Sequence, residues 1–84
     1  MARILLVEDE LIARELIKET LKSDPGIKLD TCETVQKAQI YLSQNQYDLV
    51  LLDISLPDGS GVTILELIRS RESAISLPVV MVSA

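Results

Sequence analysis

Apolar residues fall in two rhythms along this chain, and the change from one to the other predicts its architecture. Arg3 to Val7 is short, apolar and rich in branched side chains, the pattern of a strand buried on both faces, and it ends abruptly in the acids Glu8 and Asp9. The spacing then becomes helical. Ile12, Leu16 and Thr20, flanked by Ala13, Ile17 and Leu21, form one stripe, and Arg14, Glu15, Lys18, Glu19 and Lys22 mark the solvent side. Asp24-Pro25-Gly26 stops this helix. From Ile27 to Cys32 apolar and polar positions alternate, with Ile27 and Leu29 on one face and Lys28 and Asp30 on the other, which predicts a short, half-covered edge strand.

Val35, Ala38 and Leu42 set a second helix with Thr34 as its cap, and Asn45-Gln46 breaks it. Tyr47 to Asp53 is the third strand. Ile64, Leu65 and Ile68 define a third helix, Arg69 to Ser76 reads as a polar connection, and Pro78 opens a last strand, Val79 to Val82, at a position proline tolerates. The order β-α-β-α-β-α-β predicts an α/β fold with an open, mostly parallel sheet, helices on both faces and right-handed crossovers.

Composition narrows the function. A chain of 84 residues is one domain at most, with a core of little margin. The net charge is −5, from 8 basic and 13 acidic residues spread along the chain, which argues against direct nucleic-acid binding. Cys32 is the sole cysteine and histidine is absent, so neither an internal disulfide nor a Cys/His zinc site is available, and a reducing cytoplasmic setting fits. No apolar run approaches the roughly 18 residues of a membrane span, and the first run is too short for a secretion signal.

The chemistry gathers at strand ends. Glu8-Asp9 closes the first strand, Asp53 the third and Ser83 the last, so three strand ends converge where open parallel sheets place their sites. Carboxylates side by side repel one another unless a cation sits among them, and magnesium, which prefers hard oxygen ligands and keeps several waters, suits the set. Asp9, Asp53 and the backbone carbonyl of Ser55 are candidate ligands. A carboxylate beside such a cation can attack phosphorus, which makes Asp53 the candidate nucleophile and the Ser83 hydroxyl a candidate donor to a phosphoryl oxygen. Plainer roles stand beside these. Glu8 and Asp9 also suit the positive amino end of the first helix, Asp53 a turn before Leu56-Pro57-Asp58-Gly59, and Cys32, Tyr41 and Tyr47 packing alone.

Glu8-Asp9, Asp53, Leu56-Pro57-Asp58-Gly59-Ser60-Gly61 and Pro78-Val79-Val80-Met81-Val82-Ser83-Ala84 together resemble the receiver domain of two-component response regulators, over Arg3 to Ala84. The resemblance implies a flavodoxin-like (CheY-like) sheet of strand order 2-1-3-4, and a phosphoryl group passed to Asp53 from a phosphohistidine on a sensor kinase or phosphotransfer protein. It implies Mg2+ held directly by Asp9 and Asp53, with Glu8 assisting through water and Ser83 sensing the phosphoryl group. Such domains continue with a helix, a fifth strand and a final helix. Residues 1–84 therefore read as a single receiver domain truncated after the fourth strand, lacking the family's lysine and aromatic switch residue, with switching impaired. The open last strand is expected to pair with, or exchange elements with, a second copy.

The reading is thus a cytoplasmic phosphoacceptor module, not a turnover enzyme. The alternative is a non-catalytic fragment that docks on a kinase or regulator through its first helix. An aspartate phosphatase ranks below both, because the acid-base position two residues after Asp53 holds Ser55. Nucleotide binding is also disfavoured, since the first turn, Glu8-Asp9-Glu10, is acidic where a phosphate cradle needs glycines.

Overall fold

The computed structural model describes residues 1–71 and 77–82. The chain runs β1 (Ala2–Val7), α1 (Leu11–Lys22), β2 (Ile27–Cys32), α2 (Val35–Gln44), β3 (Leu49–Asp53), β4 (Ser55–Leu56), β5 (Gly59–Ser60), α3 (Gly61–Arg71) and β6 (Val79–Val82). Four of the strands form one parallel sheet in the order β2-β1-β3-β6, which is the expected 2-1-3-4 arrangement with β6 as the fourth strand. The remaining two, β4 and β5, make a small antiparallel hairpin in the loop after Asp53 that the periodicity did not predict.

Side chains alternate across a sheet, so the register decides what each face carries. Cys32, Val7, Leu52 and Met81 stand in one row, and Asp30, Leu5, Val50 and Val79 in the row below. Against this face pack Val35 and Ala38 of α2, Ile64 and Ile68 of α3, and Leu56 of the hairpin, forming the core with Tyr41, Leu42 and Tyr47 at its margin. Each fully buried Val, Leu or Ile of this cluster is worth about 1.5–3 kcal/mol of transfer free energy. Cys32 is enclosed there, and burial pushes its thiol up to about 12, as a packing role requires.

The row assignment corrects the expectation for β2. Asp30 does not face solvent opposite Leu29; it shares the core face with Cys32 and Leu5. It is satisfied there by the Arg3 guanidinium, whose Nη2 lies 3.0 Å from Asp30 Oδ2, and by the Tyr47 hydroxyl, which donates to the same oxygen at 2.8 Å. Arg3 also stacks over the Tyr47 ring, 5.3 Å from its centroid. β3 begins two residues later than expected, at Leu49; Asp48 leads into it, donating its amide to the Arg3 carbonyl at 2.7 Å and accepting from the Arg3 amide on its carboxylate at 2.7 Å.

The helices depart from the periodicity in two places. In α1 the apolar stripe is wider than the strip of sheet beneath it. Ala13, Ile17 and Leu21 are half-buried where the helix packs on β2, whereas Ile12 and Leu16 are 68% and 65% exposed and no residue of α1 is fully buried. In α3 the helix extends past Ile68 to Arg71, into the stretch read as a connection, because Arg69 and Ser70 occupy its solvent side; Arg69 Nη1 donates to the Leu77 carbonyl at 3.0 Å, joining the helix to the approach to β6. α2 starts as expected, with Thr34 Oγ1 accepting from the Lys37 amide at 3.0 Å.

Candidate functional site

Strand direction assembles the site. In a parallel sheet all carboxyl ends lie along one margin, so the residues that follow β1 and close β3 become neighbours. The Glu8 amide donates to the Cys32 carbonyl at 3.0 Å, extending the β1–β2 ladder by one residue and pinning the acidic turn to the sheet. Asp53 ends β3 opposite Val82 of β6. Glu8 and Asp53 are 2% and 5% exposed, an unusual state for two acids side by side, and Asp9 stands beside them facing solvent. Each of the three offers a carboxylate oxygen, and these atoms lie within 4.8 Å of one another.

The electrostatic result is carried by Glu8. Burial, a hydrogen bond to Asp53 and the charges of Asp53 and Asp9 push its carboxyl from 4.5 up to about 6, against the Glu10 amide, which pulls it down. That amide donates to Glu8 Oε2 at 3.2 Å, and Arg14 Nη1 donates to the Glu8 carbonyl at 3.0 Å, so Glu8 also organises the start of α1. The helix-end role and the cluster role are both present in one side chain.

A hard divalent cation fits the donor set. Three carboxylates with no histidine or thiolate among them match the oxygen preference of magnesium, and a cation there would relieve the repulsion that raises Glu8. Ser55, the fourth ligand suggested by the sequence, opens the hairpin directly beyond Asp53, and its amide donates to Asp53 Oδ1 at 3.3 Å. Ser83 lies outside the described residues.

Two residues that shape the site were not among its sequence candidates, although both lie in the stretch of residues 56–61 that carries the resemblance. Gly61 closes the loop after Asp53 by donating its amide to the Ile54 carbonyl at 2.7 Å, and a Cβ on it would stand 2.0 Å from the Asp53 carbonyl oxygen. Only glycine allows the helix to start this close to the end of the strand. Asp58, at the hairpin tip, accepts from the Val35 and Gln36 amides of α2 at 2.7 and 3.1 Å. Its neighbours in sequence suggested only a turn.

A parallel 2-1-3-4 sheet with paired acids after the first strand and an aspartate after the third defines the class of phosphoacceptor modules. The response regulator receiver domain family matches this chain over residues 4–84. The chain belongs to that family.

Among curated relatives, the virulence transcriptional regulatory protein PhoP of Salmonella typhimurium (strain LT2) is 36% identical over 84 residues, and the KDP operon transcriptional regulatory protein KdpE of Escherichia coli (strain K12) is 34% identical over 84 residues. The chain is covered in full in both comparisons but spans only 36% of the length of either relative. Among solved structures, the MaeR response regulator bound to beryllium trifluoride superposes with a TM-score of 0.89 at 29% identity, covering all of this chain and 68% of that one. The response regulator TrrA from Thermotoga maritima, in complex with Mg2+ and a beryllium fluoride, gives 0.87 at 36% identity, covering all of this chain and 70% of that one. The fold is thus the flavodoxin-like one of CheY-like receivers. Receivers of this family are phosphoacceptors of two-component signalling and interact with histidine kinases or phosphotransfer proteins. Among the described residues no helix is long and apolar enough to cross a membrane.

Proposed function

We propose that this chain accepts a phosphoryl group on Asp53 from a phosphohistidine of a sensor kinase or phosphotransfer protein. The gathering of Glu8, Asp9 and Asp53 within 4.8 Å at the carboxyl margin of the sheet carries this reading. An Asp53 carboxylate oxygen attacks phosphorus in line, the P–N bond to the donor imidazole breaks, and the imidazole leaves with the bonding pair. The product is a mixed anhydride on Asp53, formed once per donor without turnover.

Asp9, Asp53 and the Ser55 carbonyl would hold Mg2+, with Glu8 acting through water. When bound, the ion neutralises charge on the phosphoryl oxygens. The protein's own part is positional. The Ser55 amide orients Asp53, burial on the sheet margin keeps bulk water from the carboxylate, and the Glu8 carboxyl adjusts its proton to the charge beside it. MaeR bound to beryllium trifluoride and TrrA in complex with Mg2+ and a beryllium fluoride support this reading of the ligands. Ser83 is proposed to donate to the phosphoryl group once it is in place.

Replacing Asp53 with asparagine and following label transfer from a phosphorylated kinase domain tests the assignment. Transfer should vanish; undiminished transfer would refute it.

A second reading has its own observation. Leu11, Ile12 and Leu16 of α1 are 59%, 68% and 65% exposed beside the acidic turn, an apolar strip suited to docking on a helical partner without any chemistry. Docking alone survives the same asparagine substitution, and phosphoryl acceptance does not.

A further inference from the structure

Asp58 is acidic, close in sequence to Asp53 and outside the carboxylate cluster. Both of its carboxylate oxygens are occupied by amides more than twenty residues away: Oδ1 accepts from Val35 N at 2.7 Å and Oδ2 from Gln36 N at 3.1 Å. These are the first two amides of α2, and the third, Lys37, is taken by the helix's own cap, Thr34. A helix leaves its first amides without intrahelical acceptors, and here a distant loop supplies two of them.

The loop is fastened along its length. At the tip, Gly59 has φ +157°, and a Cβ on it would stand 3.3 Å from Val35 Cγ2; on the same hairpin Leu56 is buried in the core with Val35. Ser55 pairs with Ser60 across the hairpin, and at the root the Ser55 amide meets Asp53 Oδ1 at 3.3 Å. On the other side only Glu33 and Thr34 separate Val35 from Cys32, whose carbonyl accepts from the Glu8 amide at 3.0 Å. The contacts close a ring: Glu8, Cys32, Val35, Asp58, Ser55, Asp53. The β1–β3 ladder, with Val7 beside Leu52, places Glu8 next to Asp53 directly, and the Asp58 carboxylate closes a second route that fixes the Ser55 side of the site.

We propose that Asp58 is a positioning residue for the acidic site, fixing the Asp53–Ser55 segment relative to Glu8 by anchoring the hairpin to α2, although it touches neither the cluster nor any ligand of it. The claim rests on the reading of that cluster as a magnesium site. Cation binding by two carboxylates and a carbonyl, with a third carboxylate acting through water, depends on their separation. Groups bonded directly to a ligand typically change metal affinity about 10–100-fold, and Asp58, one contact further out, belongs at the lower end of that range. A residue that merely capped α2 would alter stability and leave the affinity of the folded protein unchanged.

Three variants separate these cases: Asp58→Ala, Asp58→Asn and Thr34→Ala. Magnesium is titrated into each labelled protein well below its melting temperature, following the amide resonances of Asp9, Asp53 and Ser55. Asp58→Ala should weaken magnesium binding about tenfold. Asp58→Asn, which keeps one carbonyl acceptor for an α2 amide, should recover part of the loss. Thr34→Ala, which weakens the cap without touching the hairpin, should lower the melting temperature and keep parental affinity. Parental affinity in folded Asp58→Ala would overturn the proposal, as would an equal loss in Thr34→Ala. Should Asp58→Ala not fold, Asp58→Asn decides: parental affinity, with the Val35 and Gln36 resonances shifted, overturns it. Failure of the underlying site reading shows separately, as a parental spectrum that does not respond to magnesium at all.

Discussion

The carboxyl of Glu8, directly after β1, shares a hydrogen bond with that of Asp53 at the end of β3, and burial together with this bond and the charges of Asp53 and Asp9 pushes Glu8 from 4.5 up to about 6. A carboxyl whose folded value lies above its unfolded value stabilises the fold while protonated. Its contribution is complete below about pH 4.5 and is lost as pH rises through about 6.

Without divalent ions, thermal stability should therefore fall between about pH 4.5 and 7 by an amount that Glu8→Gln removes. Magnesium at neutral pH should restore it, because a cation replaces the proton as the counter-charge. Circular-dichroism melts at several pH values, parent against variant, measure this directly. A parental melting temperature that climbs through the window relative to Glu8→Gln would contradict the sign.

At the opposite end of the sheet the polar set of Arg3, Asp30 and Tyr47 does structural work. Burial pushes the Asp30 carboxyl up, but hydrogen bonds from Tyr47 and Arg3 and the charges of Arg3 and Lys28 outweigh it and leave it below its ordinary value. Its stabilisation is present above the unfolded value near 3.8 and is lost as pH falls through the lower folded value. Tyr47→Phe removes the 2.8 Å bond to Asp30 and should cost about 1–2 kcal/mol in urea unfolding near neutral pH, shrinking in strong acid. No change at neutral pH would show that water replaces the hydroxyl without loss.

Gly61→Ala meets the Asp53 carbonyl oxygen and can be relieved only by moving backbone at the end of β3. We expect a loss of at least about 2 kcal/mol in unfolding free energy, and weaker magnesium binding in what remains folded. The same substitution at Gly26, where a Cβ comes no closer than 3.2 Å to the flexible Asp24 carboxylate, should cost less. Equal losses at the two positions would remove the close-approach explanation.

Element order and helix positions were legible because the two rhythms are strong: the apolar runs of β1, β3 and β6 are nearly continuous, and Thr34 and Asn45 bracket α2 as their side chains dictate, whereas the strand order came from the resemblance to receiver domains. Glu8, Asp9 and Asp53 were legible as site candidates because each follows a buried run. What was not legible depends on contacts between distant segments. Asp30 looks like a solvent residue until Arg3 and Tyr47 are seen to neutralise it on the core face. Asp58 looks like a turn former until α2 arrives beside it. The apolar stripe of α1 shows which residues are greasy and not how much of that stripe the sheet covers, so Ile12 and Leu16 were placed inward and lie outward.

The central claim is that Asp53 takes the phosphoryl group. Its most direct test is intact-mass and peptide-level mass spectrometry of the protein incubated with a small acyl phosphate, with and without magnesium, alongside Asp53→Asn. The account predicts a gain of one acid-labile phosphoryl group that requires the ion and maps to the peptide containing Asp53, and none in the variant. A phosphoryl group on Asp9 or on any hydroxyl residue, or equal gain in Asp53→Asn, would contradict it.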